Sequence, residues 1–407
     1  MVAAEQLVRT ADIAGNWIDC TVARLEHRLG RTQTAVAIGL VAWLLSLMLA
    51  SPVLWVFEVH PGWYSRWDVL AEQARDPLFR PADEAYLAYR ILVPVLAYGL
   101  GLRGHEAQLL ICAANILSLA GVFLLLRRNV CPASAALCTG SLGLSVMAQA
   151  SNYDLGQPDA VSNLLLVGLM WSGGMWTWAV VPFLGLLNDE RILLGLPLVF
   201  LFHITPGVSL HNQAGAIATR VALAGLGVAL ALMVRHGITV AGPGPALTGP
   251  IYPTIWPFYS GTSFQWAIAA LFSFRGLWLL PATHVWLTIK NAPRVSDWRL
   301  IAATLYLTVV WAAATSILDG WRSMGQGFPA FVLLASHART FRPELLRRFL
   351  TIVLVVQCVA PCLEVVYVPG GIHWIRPLPI ALLELKLHGS VLEKINETWR
   401  FRESVVE

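Results

Sequence analysis

The run TAVAIGLVAWLLSLMLASPVLWVF, from Thr34 to Phe57, contains no charged residue. A transmembrane helix needs about 20 such residues, so this run is long enough to cross a bilayer. Similar runs recur along the chain, which has 407 residues, of which 57% are hydrophobic and 13% charged, and a mean hydropathy of +0.64. Soluble domains contain about 25% charged residues, and one core could not bury this much apolar surface. The sequence therefore predicts an all-α, polytopic transmembrane helical bundle.

Eleven apolar segments are candidate spans, and we expect ten to twelve in all. They are Thr34–Phe57, His105–Leu126, Ala133–Ala150, Val161–Ser172, Met175–Leu187, Ile192–Ser209, Val221–Val234, Gly276–Ile289, Leu300–Leu318, Phe328–Ser336 and Phe349–Val368. One alternative joins residues 161–187 into a single long helix kinked at Gly173 and Gly174. Residues 85–102 are also apolar, but Arg90 and Pro94 interrupt them, which predicts a re-entrant or juxtamembrane helix after the first span.

The first 33 residues predict an amphipathic helix at the membrane surface. Apolar residues recur there at intervals of three or four, with arginines between them. The apolar positions are Leu7, Ala11, Ala14, Ile18, Val22, Leu25 and Leu29, and the arginines are Arg9, Arg24, Arg28 and Arg31. No cleavable signal peptide is visible in this segment.

The distribution of basic residues predicts a cytoplasmic N-terminus by the positive-inside rule. That orientation places Arg127, Arg128, Arg220 and Lys290 on the cytoplasmic side. We therefore divide the chain into a cytoplasmic segment 1–33, one transmembrane domain 34–368, and an extracytoplasmic tail 369–407. Two large extracytoplasmic loops are expected within the domain, at residues 58–104 and 237–275. The expected location is a bacterial inner membrane.

Nearly all polar clusters fall on the predicted outer side. The first is RPADEAY, where Asp83 and Glu84 precede Tyr86 and, after a further turn, Arg90. A carboxylate at such a boundary can act as a general base, or hold a divalent cation that binds a phosphate. A helix cap explains one acid equally well, but it does not account for Arg90 on the same helical face as Tyr86.

Five other clusters supply the remaining candidate residues. Asp68 lies among tryptophans in WYSRWD, and the others are acids and arginines in short outer connections. These are Asp154 and Asp159 in SNYDLGQPDA, Asp189, Glu190 and Arg191 in NDER, Arg275 in SFRGLW, and Asp319 and Arg322 in DGWRS. Charges this close to lipid usually face a cavity or a partner. Ordinary solvated loops and snorkelling arginines are the alternative explanation.

Cysteine and histidine spacing does not indicate a metal centre. The six cysteines form no CxxC pair, and the ten histidines form no HExxH pattern. Walker A, GxSxG and strand-linked GxGxxG motifs are also missing from the sequence. No cofactor is indicated, and a divalent cation stays open.

The first-loop acids of DEAY and RWD, followed by many spans with short connections, resemble the GT-C type of integral membrane glycosyltransferase. The resemblance covers the layout from about Thr34 to Val368 and implies a polyprenyl-phosphate-linked sugar donor and a glycan or lipid acceptor. It implies that Asp83, Glu84 or Asp68 carries catalysis. The remaining acids and arginines of the outer clusters, with Tyr86 and Arg90, would bind substrate. Membrane lipid is an expected partner, and nucleic acid is not.

Other classes of membrane protein stay open at this point. A multi-pass transporter or flippase of a lipid-linked or small polar substrate is the main alternative, although no internal repeat is evident. Another lipid-linked transferase and a non-catalytic scaffold are further alternatives.

Overall fold

The computed structural model describes residues 2–52, 66–79, 90–241, 271–291, 297–315, 320–337, 342–365 and 372–388. Helices account for most of this part of the chain. They are α1 (Val2–Leu29), α2 (Arg31–Leu49), α3 (Arg66–Arg75), α4 (Leu92–Gly99), α5 (Gln108–Leu126), α6 (Pro132–Gly143), α7 (Val146–Tyr153), α8 (Asp159–Trp171), α9 (Thr177–Leu186), α10 (Ile192–Phe202), α11 (Leu210–Ala241), α12 (Leu279–Asn291), α13 (Trp298–Thr315), α14 (Gly320–Gly325), α15 (Phe328–His337), α16 (Pro343–Val359) and α17 (Leu378–His388).

Two 3-10 turns, Gly104–Ala107 and Arg275–Trp278, precede α5 and α12. Strands β1 (Cys362–Val365) and β2 (Ile372–Ile375) form an antiparallel hairpin in which Cys362 pairs with Ile375. The predicted all-α bundle is therefore confirmed, with this small hairpin added.

Contacts between helix ends define two ends of the bundle, which we call the N-terminal end and the opposite end. The N-terminal end holds the pairs Glu26–Arg127, Asp19–Ala133, His203–Leu169, Arg299–Ile204 and Asp12–Arg348. The opposite end holds Leu92–Leu187, Asn188–Pro158, Arg235–Leu186, Arg322–Asp159 and Arg275–Gln357. Within the described residues the chain crosses between these ends eleven times, at α2, α5, α6–α7, α8, α9, α10, α11, α12, α13, α14–α15 and α16.

Three of the described helical segments are long and apolar enough to cross a membrane alone, and these are Arg31–Leu49, Gly104–Leu126 and Leu210–Ile238. A fourth results if α6 and α7, which are bent by 40° at their junction, are one span. Four further apolar helices are shorter. The protein is thus an integral membrane protein. How many of the eleven crossings span the whole bilayer stays a prediction.

Three expectations about element boundaries are corrected. The helix predicted over residues 34–57 ends at Leu49, because Pro52 disfavours helical backbone just before it. The predicted last span to Val368 ends at Val359, and after Pro361 the chain forms β1. Residues 161–187 are two helices that run in opposite directions, so the alternative of one kinked helix is wrong.

The N-terminal amphipathic helix is confirmed as α1, and its apolar face lies against the bundle. Ala11 and Val22 are buried where α1 packs on α6 and α16. Ile13 and Trp17 remain exposed on its other side. The helix therefore belongs to the N-terminal end of the bundle, and its contact with the membrane surface stays a prediction.

The juxtamembrane helix expected after the first span corresponds in part to α4. The backbone amide of Leu92 donates to the carbonyl of Leu187 at 3.1 Å, which fixes α4 at the opposite end. Helix α3 packs beside it on a small core that includes Leu70, Val93 and Ile111. Together α3 and α4 form a cap over this end of the bundle.

Candidate functional site

The short connection between α9 and α10 carries the NDER sequence into the protein interior. Asn188 is buried, and its amide donates to the carbonyl of Pro158 at 2.9 Å and to the hydroxyl of Ser162 at 2.8 Å. The amide of Arg191 donates to Oδ1 of Asp189 at 3.0 Å, which is a side-chain turn typical of aspartate. These bonds tie the connection to α8 and turn Asp189 inward.

Asp189 is 1% exposed and faces three guanidinium groups. Its Oδ2 lies 3.3 Å from Nη1 of Arg191 and 3.4 Å from Nη2 of both Arg90 and Arg322. Burial raises the pKa of this carboxyl, but the charges of Arg191, Arg90 and Arg322 outweigh burial and hold the pKa well below its usual range. Asp189 is therefore an anion at neutral pH.

Asp159 is the second buried acid and begins α8. Arg322 Nη2 lies 2.6 Å from its Oδ2, and Arg322 Nε donates to the same oxygen at 2.8 Å. Arg191 Nη1 lies 3.6 Å from its other oxygen. Two aspartates thus share three arginines, and the four elements that supply them meet only in the folded protein.

A more exposed pair extends the network towards α11. Glu190, which is 29% exposed, lies 3.2 Å from Arg235 and 3.6 Å from Arg90. The residues joined by these ion pairs number seven, and we call them the charge network. They are Arg90, Asp159, Asp189, Glu190, Arg191, Arg235 and Arg322. Four cations face three anions within the described residues, so this set carries one net positive charge.

A cleft of about 330 Å³, including space open to the surroundings, adjoins the network between α3, α4 and the loop before α8. Its polar lining consists of Arg66, Gln73, Arg90 and Gln157, and Arg90 donates to Oε1 of Gln157 at 3.4 Å. Gly156, in the same loop, has a φ of 90°, and a β-carbon there would lie 2.4 Å from the Arg66 carbonyl oxygen. Only glycine allows this close approach.

The structure brings together six of the residues predicted from the sequence, and it adds others. The six are Arg90, Asp159, Asp189, Glu190, Arg191 and Arg322. Asp154 lies beside them, 4.0 Å from Arg66, and it accepts a hydrogen bond from Gln157 at 2.6 Å. Arg235, Arg66 and Asn188 were not predicted as site residues. The signal for the two arginines was their position on the predicted outer side, where the positive-inside rule does not expect basic residues.

Two predicted residues lie elsewhere at this end. Asp68 lies on the side of α3 turned away from the cleft residues of that helix, and its Oδ1 is 3.1 Å from Nε2 of His105. The His105 ring stacks on Trp67 with ring centroids 3.9 Å apart. Arg275 donates through Nη1 to the carbonyls of Gln357 and Ala360, both at 2.9 Å, so it caps the C-terminus of α16.

Asp83, Glu84, Tyr86 and Asp319 lie outside the described residues. No group of three or more histidine, cysteine or acidic residues suited to a metal ion occurs in the part of the chain that the structure describes. The charge network consists of guanidinium and carboxylate groups. Comparison of the chain with protein families, curated proteins and solved structures finds no match.

Proposed function

We propose that the protein is a membrane glycosyltransferase that transfers a sugar from a polyprenyl-phosphate-linked donor to a glycan or lipid acceptor. The reaction would take place at the opposite end of the bundle, which we place on the extracytoplasmic side. The observation that carries the proposal is the buried network in which Arg90, Arg191 and Arg322 converge on two aspartates. Arginine is suited to phosphate because its planar guanidinium offers paired donors.

The net positive charge of the network supports a role in holding the donor phosphate. Arg90 belongs both to the network and to the cleft, where Arg66 adds a second guanidinium. When the glycosidic bond breaks, negative charge accumulates on the departing phosphate, and preorganised cations lower the energy of that state. Asp189 and Asp159 would keep the arginines in place between turnovers.

The general base is assigned from the resemblance to the GT-C type. Asp83 or Asp68 would remove the proton from the acceptor hydroxyl as the oxygen attacks the anomeric carbon. Asp68 faces His105 and not the cleft, so as the base it would act on an acceptor bound on that side of α3. Glu84 is the neighbouring acid in the same motif. A single displacement of this kind inverts the configuration at the anomeric carbon, which makes the stereochemistry of the product a direct test of the mechanism.

The experiment is release of polyprenyl phosphate by the purified protein, reconstituted in vesicles, from a panel of polyprenyl-phosphate sugars with a mixture of glycans and membrane lipids supplied as acceptors. Asp83→Asn, Asp68→Asn and Arg90→Lys would be compared with Arg75→Gln, a control at the same end whose arginine is 55% exposed and paired with Glu72. We expect Arg90→Lys and one of the two aspartate variants to lose most turnover, and Arg75→Gln to keep it.

Turnover that is unchanged in all variants would contradict the assignment of these residues. The same vesicles also separate the main alternative from the proposal. If no donor is turned over while a labelled lipid-linked sugar crosses the bilayer, the protein is a flippase or transporter.

A further inference from the structure

A second cavity lies on the side wall of the bundle between α12 and α16. Its volume is about 640 Å³, including space open to the surroundings. Leu280 and Leu346 form its buried floor, and Trp286 and Leu345 are exposed at its rim. The surface that it offers is wholly apolar. We call this cavity the α12–α16 groove.

The groove is separate from the charge network. Arg275, just before α12, lies at the opposite end, whereas the groove is lined by residues 280–287 of α12 and by the first turns of α16. His284 in its wall is hydrogen-bonded through Nε2 to the carbonyl of Leu334 at 3.2 Å, near the end of α15. The groove therefore lies nearer the N-terminal end than the charge network does, and it is independent of the proposed reaction.

Basic side chains lie at the N-terminal end of the groove. The ammonium of Lys290 lies 4.9 Å above the ring of Trp286, and Arg342 stands exposed immediately before α16. Of the acids nearby, Asp297 is bonded to Arg299. Further along α16, Arg347 packs against Gly15 of α1 and Arg348 is paired with Asp12 of α1, while Glu344 is the acid of the first turn of α16.

We propose that the α12–α16 groove binds one acyl chain of an anionic phospholipid, whose headgroup phosphate is held by Lys290 and Arg342. An apolar groove on a membrane-facing wall excludes a polar occupant, and a hydrocarbon chain fills it without leaving polar atoms unpaired. The cations select the headgroup, because each basic residue near a bilayer surface raises the affinity for anionic lipid about fivefold. A zwitterionic lipid carries the same phosphate, but the positive charge of its own headgroup offsets the attraction to Lys290 and Arg342, and an uncharged lipid has no phosphate for them to bind.

The test is lipid retention by the full chain. The protein is transferred into nanodiscs containing equal amounts of phosphatidylglycerol and phosphatidylcholine with identical acyl chains. The protein is then released from the nanodiscs, and the lipids that stay bound to it are counted by native mass spectrometry. We expect preferential retention of one phosphatidylglycerol. The double variant Lys290→Gln, Arg342→Gln removes both cations and should reduce the preference about 25-fold if the two effects multiply.

Two further variants make the result specific. Arg24→Gln removes an exposed arginine from α1 at the same end and should leave the preference unchanged. Thr283→Phe fills the groove without changing its charge and should abolish retention of both lipids. Equal retention of the two lipids by the natural protein would overturn the proposal, and so would an undiminished preference in the double variant. Because both substituted cations are exposed, their loss leaves the core intact, and a thermal melt verifies this.

Discussion

Replacing Asp189 by asparagine tests whether the charge network holds the opposite end of the bundle together. The substitution keeps the size of the side chain and an oxygen that can accept the hydrogen bond from the Arg191 amide. It removes the negative charge that faces Arg90, Arg191 and Arg322, and it replaces the Oδ2 beside these guanidinium groups by an amide nitrogen that cannot accept their hydrogen bonds. The loss is therefore electrostatic, with little change in packing.

The distances set the size of the effect. Each ion pair at 3.3–3.4 Å is worth about 5 kcal/mol at an effective dielectric constant of about 20. Desolvation of the four buried ions cancels much of this sum. Breaking a buried pair by removing one partner typically costs about 3–5 kcal/mol, because the remaining charges stay buried. We expect Asp189→Asn to lower the free energy of unfolding by about that amount.

The adjacent residue provides the matched control. Glu190 is 29% exposed and its carboxylate also lies beside two arginines, so Glu190→Gln removes the same charge from a wetter site. Its expected cost is about 1 kcal/mol or less. Unfolding would be followed by circular dichroism in mixed micelles with increasing dodecyl sulfate. Equal effects of the two substitutions, or a change below about 0.5 kcal/mol for Asp189→Asn, would refute the reasoning.

Two further predictions concern helix contact and pH. A β-carbon at Gly227 would lie 2.1 Å from a backbone carbonyl oxygen of α9, so Gly227→Ala should destabilise the protein by about 1–3 kcal/mol. Gly225 has open space around it, so Gly225→Ala should stabilise the protein slightly. Thermal melts that rank the two variants the other way would contradict this contact. Burial raises the pKa of Asp297, but hydrogen bonds from Arg299 and the charges of Arg299 and His337 hold it below its usual range. The resulting stabilisation is present above about pH 4 and is lost as pH falls through the lowered pKa. Asp297→Asn should therefore destabilise the protein at pH 7, and its stability should converge with that of the natural protein in acid. A stability difference that stays constant across a pH series of melts would contradict this.

Part of the candidate site could be predicted because charges in an apolar chain are informative wherever they occur. The acids and arginine of NDER were predicted to face a polar partner because a short connection between apolar segments offers them little water. Asp159 and Arg322 were candidates as well, with an ordinary solvated loop and a snorkelling or ion-paired arginine as equal alternatives. Their mutual contacts could not be predicted, since 163 residues separate these two in the chain and only the bundle brings them together.

Arg275 illustrates the limit of that reasoning. An arginine in an apolar stretch is as consistent with phosphate binding as with a structural role. The fold places it against the end of α16, where two backbone carbonyls lack helical partners and accept its hydrogen bonds. Its φ of 42° departs from the usual range for a residue with a side chain. The structure thus supports a capping role that sequence patterns do not reveal.

The sequence by itself determined the membrane class and the helical architecture, because these follow from composition and from the spacing of apolar residues; the side of the membrane that the polar clusters face stays a prediction. The tertiary structure alone decided which charges meet. It assembled Arg90, Arg191 and Arg322 around Asp159 and Asp189, turned Asp68 towards His105, and laid α1 against the bundle. Pairing among distant segments depends on how helices cross and how their ends align, and no local pattern encodes that.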